Sequence, residues 1–189
     1  RAFDFMNKLH TEFPLDGVLE QERDLEQTLE GRLSCIPDLK PKFLQNLAPI
    51  KEALRETPRV ARVDGHVWNW TIDENKITRL DTENTRVIPI VLDWANLLDH
   101  VDYLTPEQKL EVIPKECALE YHNAVCARAL ELYKPLSERP TKKRYRRDWI
   151  DNSLSAIDQI ELNHHDYFTT YHTEYTNLRQ AFQELKAKQ

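Results

Sequence analysis

Apolar residues recur at helical spacing over most of the chain. Phe3, Phe5, Met6, Leu9 and Phe13 mark one face of a helix expected from Ala2 to Glu12 and stopped by Pro14. A second helical stretch is expected from about Asp16 to Ser34, with Val18, Leu19, Leu25, Leu29 and Leu33 on the inner side. Glu20, Glu22, Glu26 and Glu30 fall on its other, solvated face. A third is expected from about Pro41 to Glu56 on Leu44, Leu47, Ile50 and Leu54. Pro49 predicts a kink or break there, because proline removes a backbone N–H and crowds the preceding turn.

The period changes after Pro58. Trp70-Thr71-Ile72 and Ile77-Thr78-Arg79-Leu80 flank the polar run Asp73-Glu74-Asn75-Lys76, which reads as strand, turn and strand. Helical spacing resumes at Asp93, whose carboxylate suits a helix start; Trp94, Leu97 and Leu98 are expected to bury that helix up to about His100. Thr105-Pro106-Glu107 has the chemistry of another start, an N-cap followed by proline in the first turn. Pro114 separates it from a long helix expected from about Lys115 to Tyr133 on Leu119, Tyr121, Val125, Ala129 and Leu132. Pro135 and Pro140 then mark a loop. The basic run Thr141 to Arg147 is read as a solvated loop or helix flank. From about Ser153 to Lys186 a helix-rich stretch presents Leu154, Ile157, Ile160 and Leu162, then Phe168, Tyr171, Tyr175, Leu178, Phe182 and Leu185. The expected fold class is therefore mainly α, with one small β-hairpin, in a single domain of 189 residues.

Composition narrows the function classes. A net charge of -6 argues against a general nucleic-acid binder, whose affinity rests on excess Lys and Arg, and suits a cationic small-molecule acceptor. No apolar run approaches the roughly 20 residues of a membrane span, so no membrane partner is expected. Cys35, Cys117 and Cys126 form no CxxC pair and are expected to be reduced, mostly buried thiols of a cytoplasmic protein. His164, His165 and His172 lack a paired-carboxylate pattern and are read as surface or packing residues rather than zinc ligands. His10 is read as a partly exposed helix histidine.

The stretch from Arg62 to Asp99 carries the candidate chemistry. Asp64 is followed by Asn69 five residues later, by Asp81 after a further twelve, and by Asp93 after another twelve. With a hairpin between them, Asn69 and Asp81 are expected at opposite ends of one strand pair and close in space. This segment resembles the catalytic segment of kinase-like phosphotransferases, most closely the aminoglycoside phosphotransferase and choline kinase family. The matching pieces are Arg62-Val63-Asp64, Asn69, Leu80-Asp81-Thr82-Glu83 and Asp93-Trp94-Ala95-Asn96-Leu97-Leu98, and the helix ending in Leu9-His10 resembles the one that follows the hinge between the family's two lobes.

The resemblance implies a C-terminal catalytic lobe spanning residues 1–189, with its catalytic segment at 62–99. It implies an activity that transfers the γ-phosphate of ATP or GTP to a hydroxyl of a small acceptor. Asp64 would accept or orient the acceptor's proton; Asn69 and Asp81 would hold Mg²⁺ beside the nucleotide, with Glu83 a lesser metal candidate; and Asp93 would tie the catalytic loop to the helix behind it. The three glycines, Gly17, Gly31 and Gly65, form no phosphate-cradling loop, so the nucleotide-cradling N-terminal lobe is expected to precede Arg1 and to be this lobe's partner.

The segment departs from the family at Arg62-Val63, where the pattern has His-Gly, and Gly65 follows the aspartate instead of preceding it. A second reading is therefore a kinase-like domain used for binding, with catalysis weakened or lost. A third is an unrelated helical interaction domain whose aspartates are caps and turns.

Overall fold

The computed structural model describes residues 2–12, 25–61, 70–73, 76–79, 87–99, 101, 104–137 and 143–188. Within these residues the chain is mainly helical, with two short antiparallel strand pairs. It folds as two compact units, one made of Arg1–Glu22 and Thr57–Tyr121, the other of Arg23–Glu56 and His122–Gln189.

The first unit opens with α1, Ala2–Glu12, as its periodicity predicts. Strand β1, Arg59–Ala61, pairs antiparallel with β4, Val87–Pro89, placing Arg59 opposite Pro89, Val60 opposite Ile88 and Ala61 opposite Val87. This ladder joins two three-residue segments too short for any period to reveal. Between them lies the expected hairpin, β2 at Trp70–Asp73 and β3 at Lys76–Arg79. Asp73 and Lys76, read from sequence as turn residues, form the last pair of its ladder, so the connection is two residues long.

Helix α5, Ile90–Asp99, starts three residues before the expected opening at Asp93. The Ile90 N–H is taken by Pro58 O at 3.0 Å, so the ladder runs directly into the first turn and no capping carboxylate is needed at Asp93. Trp94, Leu97 and Leu98 are buried as expected. Short helix α6, Pro106–Leu110, carries the full capping box: Thr105 accepts from the Gln108 N–H, and the Gln108 side chain accepts from the Thr105 N–H. α7 extends over Ala118–Ser137 and so includes Pro135, which the sequence reading places in a loop. Near a C-terminal end, a proline forfeits one bond of a ladder that is about to stop.

The second unit is a helical assembly in which α3 (Lys40–Leu44), α4 (Ala48–Arg55), α8 (Lys143–Asn163) and α9 (His165–Thr170) pack on α10 (His172–Ala187), with α2 (Leu25–Arg32) against α3. Tyr175, Leu178, Ala181, Phe182 and Leu185 are buried along one side of α10, the period-3.6 stripe expected of a core helix. Pro49 acts as expected: the chain breaks after α3, and Pro49 sits in the first turn of α4. The break re-registers the face, so Phe43, edge-on to Phe182 at 5.0 Å, is buried where the spacing predicts Leu44. α8 begins inside the basic run, at Lys143, which makes that run in part a helix flank.

Two further expectations fail on helical geometry. Leu162 is 74% exposed, because it lies about 200° round α8 from the buried Ile160. Leu119 and Leu132 are only half-buried, while Leu130 is fully buried on the inner side of α7.

Candidate functional site

Asp64, Asn69, Asp81 and Glu83 lie outside the described residues. What is described is the frame that holds their segment. The 62–86 stretch leaves from Ala61 and returns at Val87, residues that stand opposite each other in the β1–β4 ladder. That ladder is a stem, and α5 grows from its return strand without an intervening loop. Midway along the stretch, the β2–β3 hairpin pairs Trp70 with Arg79, so the residue following Asn69 is held against the residue two before Asp81.

Helix α1 supplies the second side of the frame. Phe3, Asn7 and His10 share one face by their spacing, and all three meet the first half of α5. The Phe3 and Trp94 rings are 5.5 Å apart, and Trp94 Nε1–H donates to Asn7 Oδ1 at 2.8 Å. His10 Nε2 donates to Asp93 Oδ2 at 3.0 Å, across 83 residues of sequence. The two side chains are 3% and 0% exposed. His10 is part-buried as a residue, as expected, but its side chain is buried. Its face of α1 is covered by α5, a long-range contact that local spacing does not contain. His10 Nδ1 is also buried, with no hydrogen-bond partner among the described residues.

Asp93 is the one candidate anchor whose surroundings are described, and it heads a polar edge. Asn96 and Asp99, three and six residues on, are 2% and 9% exposed in a helix otherwise buried through Val91, Trp94, Ala95, Leu97 and Leu98. Near Asp99 the buried phenol of Tyr121 has its pKa raised, first by burial and then by the Asp99 carboxylate, so it stays a neutral donor. Sequence reasoning passes over Asn96 and Asp99. The available signal is polar residues recurring every third position inside an apolar helix.

In the second unit the titratable groups serve packing. Tyr175 O–H donates to Asn123 Oδ1 at 2.8 Å, and both residues are fully buried. Burial pushes the Cys126 thiol up to about 12, whereas Cys35 is exposed and Cys117 half-buried, so only one of three thiols is buried as expected. In the first unit, burial raises the Cys117 thiol, with Glu120 and Glu116 adding to the effect. His164 is half-buried, and His165 and His172 are exposed. Among the described residues, no three His, Cys, Asp or Glu side chains are grouped to hold a metal ion, and no helix is long and apolar enough to cross a membrane.

His122, also unremarked in the sequence, has its pKa lowered from 6.5 to about 4 by burial and by neighbouring His164. The folded state thus favours neutral His122, and the unfolded chain takes up the proton first as pH falls. Its contribution is fully present above about pH 6.5 and declines toward pH 4, by about 2 kcal/mol between pH 7 and pH 5. His122→Asn is expected to flatten that part of the stability profile, read as the difference between wild-type and variant urea midpoints across the same pH range.

Compared with protein-family models, with curated proteins and with solved structures, the chain matches none. The class of protein defined here is a mainly helical chain with a strand-paired stem that returns into a buried, polar-edged helix.

Proposed function

We propose that the chain is the helical lobe of a Mg²⁺-dependent phosphotransferase acting on a hydroxyl of a small molecule, with ATP or GTP as donor. The observation that carries this reading is the buried His10–Asp93 hydrogen bond. The resemblance singles out the Leu9-His10 helix end and the Asp93-Trp94-Ala95 segment separately, and the two meet. The observed hairpin between Asn69 and Asp81 supports it further. Asn69, Asp81 and Glu83 offer the oxygen donors that a hard cation takes.

In this reading Asp64 would orient the acceptor hydroxyl and accept its proton, as that oxygen bonds to the γ-phosphorus and the nucleoside diphosphate leaves with the bridging oxygen. Asn69 and Asp81 would hold Mg²⁺, and Asp93 would keep the helix behind the catalytic loop in place. Bound Mg²⁺ and nucleotide supply the transferable phosphoryl group and the positive charge that stabilises it. Arg62-Val63, in place of His-Gly, favours the second reading, a kinase-like binding module with weakened catalysis.

The test is Mg²⁺-dependent turnover of ATP and GTP by the full-length protein against amino-sugar, amino-alcohol and sugar acceptors. Acceptor-dependent turnover is expected, reduced about a hundredfold or more by Asp64→Ala, as for loss of a general base, and lost in Asp81→Asn. Neither nucleotide binding nor turnover in the wild-type protein would leave the binding module as the surviving reading.

A further inference from the structure

Among the described residues of the first unit, and besides the His10 side chain, the buried polar residues are Thr57, Asp93, Asn96 and Asp99. Three lie on α5. The fourth, Thr57, adjoins Pro58, whose carbonyl accepts the N–H of Ile90, the first residue of α5. None of the four is without a partner. Positions three and six residues after Asp93 lie about 60° and about 120° from it around the helix, so the three side chains span about a third of its circumference.

A helix this deeply buried would pack at lower cost with apolar residues at those positions, since each buried polar group gives up water for its partner. Polar groups add direction. Apolar contacts tolerate small slides and rotations, whereas hydrogen bonds weaken steeply with distance and angle. The His10–Asp93 hydrogen bond, with buried polar groups at Asn96 and Asp99 further along, therefore favours one rotation and axial position of α5. Because α5 is continuous with β4, and β4 is laddered to β1, whatever fixes α5 fixes the stem of the 62–86 stretch.

We infer that Asn96 and Asp99 are positioning residues that, with Asp93, register α5 and through it the β1–β4 stem on which the proposed active-site segment is mounted. The consequence for turnover rests on the phosphotransferase reading; the consequence for the stem does not.

The experiment uses the full-length protein and its Asn96→Leu, Asp99→Leu and Asp99→Asn variants, with two readouts. By hydrogen exchange, peptides covering 57–61 and 87–90 are expected to exchange at least tenfold faster in Asn96→Leu and Asp99→Leu. Peptides of α1 and α10 are expected to stay at wild-type rates. Asp99→Asn, which keeps an accepting oxygen, is expected to restore most of the protection. By kinetics, kcat is expected to fall tenfold or more with KM for Mg–ATP within twofold. If Asp99→Leu does not fold, Asn96→Leu carries the test alone. Unchanged exchange at the stem, or equal acceleration throughout the first unit, overturns the inference. A wild-type protein without turnover overturns the phosphotransferase reading and leaves stem exchange to decide this one.

Discussion

Tyr175→Ala is expected to cost about 4 kcal/mol of stability, within the range for truncating a fully buried aromatic side chain. Tyr175 has no exposed surface. Its ring stacks on Phe168 at 5.5 Å with the planes 10° apart, and Tyr167 lies 6.4 Å away. Truncation therefore removes a large apolar volume from the centre of α10's buried side and leaves a cavity that neighbouring helices fill only in part. It also removes the donor to the buried Asn123 Oδ1. Tyr175→Phe separates the two losses: it keeps the volume and forfeits only the hydrogen bond, for about 1 to 2 kcal/mol. Urea unfolding followed by circular dichroism measures both. A loss below about 1 kcal/mol in Tyr175→Ala, beneath the buried-aromatic range, would contradict the described interior of the second unit.

His10→Ala is expected to cost about 3 kcal/mol, because it withdraws a donor from a carboxylate that is 0% exposed. The loss comes more from what is left behind than from what is removed. Asp93 cannot turn to water and is left buried with one partner fewer. The double variant His10→Leu/Asp93→Leu is accordingly expected to cost less than the sum of the two single changes, since no lone buried charge remains. Additive costs in thermal or urea unfolding would show that the pair is not coupled. Retained turnover in His10→Ala, after correction for folded fraction, would separate the stabilising role of the pair from the site.

The helices were legible where a period ran long enough to declare a face. α1 has the bounds its apolar spacing predicts, Thr105 caps α6 through its own side chain, and α10 buries Tyr175, Leu178, Phe182 and Leu185 as expected. The hairpin was legible too, because alternating strands around a polar turn are a local signal. Errors gathered where a helix was joined to something else. The start of α5 moves to Ile90 because a strand feeds it, Phe43 replaces Leu44 because the chain breaks before α4, and Leu162 faces outward because the rotation of α8 is set by Ile157 and Ile160.

For the candidate site, the residue types and their spacing are sequence properties: Asp64, Asn69, Asp81 and Asp93 stand where the resemblance needs them whatever the fold. The frame is not. The sequence by itself determined the helical class, the hairpin and the chemistry on offer between Arg62 and Asp99, because propensity, capping and alternation act over a few residues. Only the tertiary structure decided that Ala61 faces Val87, that His10 is buried against Asp93, and that Asn96 and Asp99 line the inside of α5. Those are pairings between segments far apart in the chain. Their free energy comes from removing particular surfaces from water together, and no local window contains both surfaces.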